Sequence, residues 1–218
     1  MAKFSSDVDI LKYEPVLFGE LHLPSQVLAC GADAVLNGTT LTAADADFQT
    51  ANAEAGGVIH LKSTDGSLDG AYEIVSVDSS TELTVSVVRS HPSDPPVAPV
   101  ASSEIRYRVS TFGPQAADAA FQLTEYFGIQ PGNPASPIAI EQIVDVEGLR
   151  KASALAVISR VYASWTDGTD NECARKKSLL YAQLYEKARQ RCHITVDLDS
   201  DGTADITRLG GAIRLVRD

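Results

Sequence analysis

The sequence predicts an α+β protein: a helical bundle with an inserted small antiparallel β barrel or sandwich and an extended C-terminal arm. Three observations carry this expectation. Between residues 31 and 110, apolar residues recur at every second position between Gly, Asn and Asp turns, the pattern of half-buried strands. Beyond Pro114 the apolar period changes to 3.6. After residue 194 that helical period stops, and the last segment reads as a strand, a loop and an exposed arm. The expected organisation is N-terminal helices joining the bundle (1–30), an inserted β module (31–110), the bundle itself (111–194) and a C-terminal docking arm (195–218).

Residues 7–29 read as one or two short helices. Asp7 is a candidate N-cap for a segment holding Val8, Ile10 and Leu11. Pro15 biases Glu14 away from helix and ends that segment. Helices this short cannot bury an apolar face alone, so they are expected to pack with the later ones. Four or five strands follow. The segment 57–63 places Ile59 and Leu61 on one face, His60 and Lys62 on the other. Residues 71–77 are rich in strand formers, and in 83–88 Leu83, Val85 and Val87 face one way. The Pro-rich stretch 91–99 must be a loop. In 104–110, Ile105, Tyr107 and Val109 point inward, and Arg106 and Arg108 outward.

The helical half begins with Ala116, Ala120, Leu123 and Phe127 on one stripe and Gly128 as its stop. A linker is expected at 131–137. Residues 147–165 align Leu155, Ile158, Tyr162 and Trp165, with Arg150, Ser153, Arg160 and Ser164 on the polar side. Residues 166–171 break the chain. In 172–193, Leu180, Tyr181, Leu184, Tyr185 and Ala188 form the apolar face, and Arg175, Lys176, Lys187, Gln190 and Arg191 the basic, polar one.

Composition narrows the function. The 218 residues carry a formal net charge of −11, with 44% hydrophobic residues. Residues 1–110 hold 15 acidic and 6 basic side chains, whereas 111–196 hold 9 of each. A protein that grips nucleic acid needs excess Lys and Arg, so tight DNA or RNA binding is not expected. No apolar run approaches the roughly 20 residues of a membrane span. The acidic start is unlike a secretory signal, which predicts a soluble chain made in a reducing cytoplasm. The three cysteines, Cys30, Cys173 and Cys192, are too few and too scattered for a disulfide framework. They read as small buried apolar residues rather than zinc ligands. No nucleophile elbow, phosphate loop, dinucleotide fingerprint or zinc-protease motif occurs, so no enzymatic activity is expected.

One local motif stands out. Asp197, Asp199, Asp201 and Asp205 alternate around Gly202, a spacing that can wrap oxygen ligands around Ca²⁺. An EF-hand's bidentate Glu is replaced by Arg208, and no helix enters at Asp197. The other reading is a turn whose carboxylates cap their own backbone amides. Any ion there is expected to be structural. Beyond it, Arg208 stands just before the Gly210-Gly211 hinge, and after the hinge Ile213, Arg214, Leu215, Val216 and Arg217 alternate apolar and basic side chains. Too few to make a core, they suit a strand added to a partner's sheet or laid in its groove.

Three stretches resemble the head–tail connector adaptors of tailed phages and gene transfer agents: DILKYEPVLF; the pair GLRKASALAVISRVYASW and DNECARKKSLLYAQLYEKARQRCHI; and VDLDSDGTADITRLGGAIRLVRD. Together they cover about a third of the chain. The β module departs from the minimal family, which is a plain helical bundle. The resemblance implies a virion neck protein, made in the host cytoplasm and assembled as a homo-oligomeric, dodecameric ring under the portal. That ring extends the DNA channel, makes only loose contact with passing DNA and presents a surface to a stopper or tail protein. The arm is then expected to dock on the portal, and Lys176 and Lys187 to face the acidic β module of the next subunit. The alternatives are another virion component (tail terminator, stopper or capsid accessory) and a Ca²⁺-dependent binding module.

Overall fold

The computed structural model describes residues 3–19, 21–130, 132–133, 136, 138–165, 171–199 and 201–210. The chain divides into two compact units. One is Ser6–Phe112; the other joins Met1–Ser5 to Gly113–Asp218. Most of the linker expected at 131–137, residues 166–170 of the break expected at 166–171, and the end of the arm, 211–218, lie outside the described residues.

The first unit is a closed antiparallel barrel of six strands: β1 (Val27–Asn37), β2 (Thr40–Thr42), β3 (Val58–Ser63), β4 (Asp69–Val77), β5 (Glu82–Ser86) and β6 (Ser102–Ser110). They run in the order β1-β2-β5-β4-β3-β6, and β6 returns to pair with β1, as in Cys30 opposite Arg108. Closure removes the free edges that an open sheet must protect. Alternation decides what lies inside. Ile59 and Leu61, Leu83 and Val85, and Ile105, Tyr107 and Val109 are buried, around Phe48 from the β2–β3 connection. Val87 falls past the end of β5 and is 45% exposed.

This corrects the expected architecture. The β region is not an insertion in a helical bundle but a unit of its own, and the N-terminal turns belong to it. Helix α1 (Asp7–Leu11) is tied down by barrel backbone: the Val8 N–H donates to the Gly56 carbonyl at 3.0 Å, and the Asp7 carboxylate accepts the Phe112 N–H at 2.8 Å. The N-cap is Ser6 rather than Asp7, because the Asp9 carboxylate reaches back to the Ser6 N–H. Asp7 instead holds the strand end. Phe18, in the chain between α1 and β1, sets its ring edge-on to Phe112 at 5.1 Å.

Strand β1 lies partly where helix was expected. Its middle holds Ala29, Gly31, Ala32 and Asp33, which carry little strand propensity. Gly31 explains one of them: a Cβ there would sit 2.6 Å from the Tyr107 ring, which packs against the bare backbone.

The second unit contains α2 (Gly113–Tyr126), α3 (Glu147–Ser164), α4 (Glu172–Arg189) and the hairpin β7 (His193–Val196) to β8 (Ile206–Leu209). Gly128, at φ +73°, takes the chain out of α2. Helix α3 is buried almost all round and packs against both α2 and α4. Ser153, expected on its polar side, is fully buried, its hydroxyl 2.8 Å from that of Ser5. Ser159 and Ser178 clasp α3 to α4 reciprocally, each hydroxyl donating to the other's carbonyl at 3.1 Å. Arg160 links α3 to Asp118 of α2 at 2.8 Å.

The hairpin corrects the picture of a free arm beginning at residue 195. Ile194 and Val196 are buried in the same cluster as Phe4, Leu123, Phe127, Ile143 and Leu149. Among the described residues, no helix is long and apolar enough to cross a membrane.

Candidate interaction surface

Helix α4 leaves more of its apolar side chains exposed than α3 does. Asn171 caps it, its side-chain oxygen accepting the Ala174 N–H at 3.0 Å. The face toward α3 is built from Ala174, Ser178, Tyr181, Tyr185 and Ala188, spaced 4, 3, 4 and 3 residues apart. Tyr181 stacks on Tyr162 of α3 with centroids 6.2 Å apart, and Lys177 donates to the Tyr162 hydroxyl at 2.9 Å. At the far end the Arg189 guanidinium lies over both Tyr126 of α2 (4.4 Å) and Tyr185 (5.2 Å).

That seam takes Tyr181, Tyr185 and Ala188 inward and turns Leu180 and Leu184 out. Both had been expected on the same apolar face as the tyrosines. Leu179, Leu180 and Leu184 are 56%, 52% and 39% exposed, and Ala174 is the one fully buried residue of the helix. At 100° per residue, Cys173, Lys176, Leu180, Leu184 and Lys187 fall within an arc of about 80°. Lys176 and Lys187 are exposed; Lys176 pairs with Glu172 on its own helix at 2.8 Å. An exposed pair of this kind is weak, so the ammonium can exchange it for another carboxylate.

The other expected site residues divide into two groups. One carboxylate oxygen from each of Asp197, Asp199 and Asp205 lies within 4.8 Å of the others. Each of these side chains also caps the turn: Asp197 accepts from Gly202 N–H (2.8 Å), Asp199 from Asp201 N–H (3.3 Å) and Asp205 from Leu198 N–H (2.7 Å). Asp201 stands apart from the trio and accepts from Thr203 N–H at 2.7 Å. Arg208 turns back on its own unit, its guanidinium donating to the Phe127 carbonyl at 3.4 Å. Gly210 lies against the Tyr126 ring so closely that a Cβ would sit 1.8 Å from it. The remaining residues expected to bind a partner, Ile213, Arg214, Leu215, Val216 and Arg217, lie outside the described residues.

The cysteines are not buried as expected. Cys30 on β1 and Cys173 on α4 are exposed, and Cys192 is half-buried, its thiol donating toward the carbonyls of Gly148 and Ala188. Burial pushes that thiol up from its ordinary pKa.

No family model, no curated protein and no solved structure matches the chain.

Proposed function

We propose that this chain is a structural subunit of a virion neck, a head–tail connector adaptor that assembles as a ring on a portal and continues the DNA channel toward the tail. The observation that carries the reading is the outer face of α4. Leu180 and Leu184, exposed on a helix whose other side is already packed, are apolar surface awaiting a protein partner. The resemblance to the adaptor family adds to it. Its two helical stretches and its C-terminal stretch all fall within one unit, on α3, α4 and the β7–β8 hairpin. Acidic excess suits a channel component past which DNA must slide without being held. On this reading the chain performs no catalysis, and its neighbours are its own copies, the portal and a stopper or tail protein.

The test is to incubate the purified chain with portal-bearing, tail-less capsids and image the product by cryo-electron microscopy. A ring of additional density under the portal is expected. Capsids that acquire no density there, or density located on the capsid lattice, would overturn the adaptor assignment.

A further inference from the structure

We propose that the outer face of α4 docks on the acidic barrel of a second copy of this chain, at the rim formed by Asp33, Asp45 and Asp47. The inference deepens the reading of the chain as an assembling subunit and rests on it.

Charge selects the occupant. The apolar centre, Leu180 and Leu184, lies between Lys176 on one side and Lys187 on the other. Two α4 faces placed against each other antiparallel set Lys176 beside Lys187; placed parallel, each lysine meets its own counterpart. Both arrangements oppose like charges, so the face is unsuited to self-pairing. It calls for an acidic surface, and the other unit of the same chain supplies one.

Ser6–Phe112 carries fifteen acidic and five basic residues. Four of those five cations are engaged within the unit, Lys12 by donating to the Ser90 carbonyl at 3.3 Å. Arg89 pairs with Glu73 at 2.7 Å, Lys62 with Asp69 at 2.7 Å, and Arg108 donates to the carbonyls of Phe18 and Gly19. Asp33, Asp45 and Asp47 are exposed. The Asp33 carboxylate accepts the Asp45 N–H at 3.1 Å, which holds β1 and the β2–β3 connection together at one end of the barrel. Cys30 belongs to the same end: the Tyr107 phenol, raised in pKa mainly by burial, also feels Asp33, Cys30 and Asp45.

A contact between two different faces of identical chains is heterologous. It generates a closed ring or an open filament according to the rotation per subunit. Two exposed thiols mark the two faces, Cys173 on the helix and Cys30 on the barrel.

The experiment is a charge-swap mixing assay on the full chain, followed by sedimentation at low and high salt. One variant carries Lys176→Glu with Lys187→Glu; the other carries Asp45→Lys with Asp47→Lys. Circular dichroism checks that each remains folded. The parent chain is expected to self-associate at low salt and dissociate as salt rises. Each variant alone should associate at least tenfold more weakly, and an equimolar mixture should recover the parent behaviour. A bismaleimide on a mixture of ¹⁵N-labelled and unlabelled parent chains should join Cys30 of one copy to Cys173 of another. A parent chain that stays monomeric, variants that associate like the parent, a mixture that fails to recover, or cross-links only between Cys173 residues would each overturn the docking. A chain that joins portal-bearing capsids yet gives any of those results keeps the adaptor reading and loses this contact.

Discussion

The barrel and the helical unit bury their apolar residues in different ways. Around the closed barrel, Leu41, Phe48, Ile59, Leu61, Ile74, Leu83 and Val85 are all fully buried, and closure leaves no strand edge free. In the helical unit, α3 is buried almost all round while α4 has one fully buried residue and three exposed leucines. A closed sheet pairs its backbone and fills its interior within itself. A layer of helices ends in a helix with one face still open, and that open face needs either polar residues or a partner. This chain places leucines there. The comparison predicts that substitutions in the barrel interior act on stability, and that substitutions on the outer face of α4 act on association.

The largest effect is expected from Phe48→Ala. The ring is fully buried, packs edge-on against Tyr107 at 5.6 Å, and stands in a cluster with little room to relax. Truncating a buried Phe costs about 3–5 kcal/mol. Hydrogen exchange at the amides of β3 and β6 should accelerate accordingly. The fluorescence of Trp165, the single tryptophan and part of the helical unit, follows the other unit in the same sample. Loss of protection in β3 and β6 with little change in the Trp165 transition is the expected pattern. Equal loss in both would show that the units unfold together and erase the contrast.

Asp197→Ala should come next. The side chain is 6% exposed and accepts the Gly202 N–H across the turn that joins β7 to β8. Removing the acceptor of a buried hydrogen bond costs about 1–3 kcal/mol, felt as a lower melting temperature. Measuring it in EDTA and in excess Ca²⁺ separates the two readings of the turn. A self-capped turn melts at the same temperature in both, whereas an ion that orders the turn raises the parent's melting temperature and not the variant's.

How far the sequence was readable follows from the same physics. Strand β6 was legible because Ile105, Tyr107 and Val109 alternate with two arginines, leaving one possible inner face. Strand β1 was not, because its middle is small residues selected to fit a neighbour: Gly31 makes way for the Tyr107 ring. The N-terminal turns were assigned to the bundle from their shortness alone, and nothing in their residues names the strand end that Asp7 holds. In α4 two apolar stripes compete, Leu180 and Leu184 against Tyr181, Tyr185 and Ala188. The 4-3-4-3 spacing of Ala174, Ser178, Tyr181, Tyr185 and Ala188 was the available signal for the inner one, and counting small residues as seam-formers would have found it. The Asp-rich turn was visible as a turn, but its hairpin was not, since Ile194 and Val196 join a core assembled from residues as distant as Phe4.

A smaller effect is expected from pH in the barrel. His60 is held below its ordinary pKa of 6.5, first by burial and then by the nearby Arg108, Lys62 and His22, while Asp69, 3.4 Å away, acts in the opposite direction. Because the folded value lies below the unfolded one, the unfolded chain takes up the proton first as pH falls. The contribution is therefore fully present above 6.5 and is lost as pH drops through the folded value. Barrel stability measured between pH 8 and 5 should decline on the acid side, and His60→Gln should flatten that decline. A variant that declines as steeply as the parent would assign the effect to another group.

The smallest effect on stability, and the one that sharpens the contrast most, is expected from Leu180→Ser with Leu184→Ser. Both side chains face solvent in the isolated chain, so little buried area is lost, and surface changes of this kind stay within about 0.5 kcal/mol. Serine is a somewhat poorer helix former than leucine, which costs a few tenths of a kcal/mol per site. Removing exposed apolar area offsets part of that, because the leucines gain nothing from water in the folded state. The melting temperature should scarcely move. Association should change far more, because the same two side chains would be the apolar centre of any contact that covers α4, and central contacts carry most of a docking energy. Sedimentation and thermal melting of one preparation give both numbers. A variant that melts well below the parent would mean that the leucines already serve the fold, and the outer face of α4 would then be part of the unit's own packing.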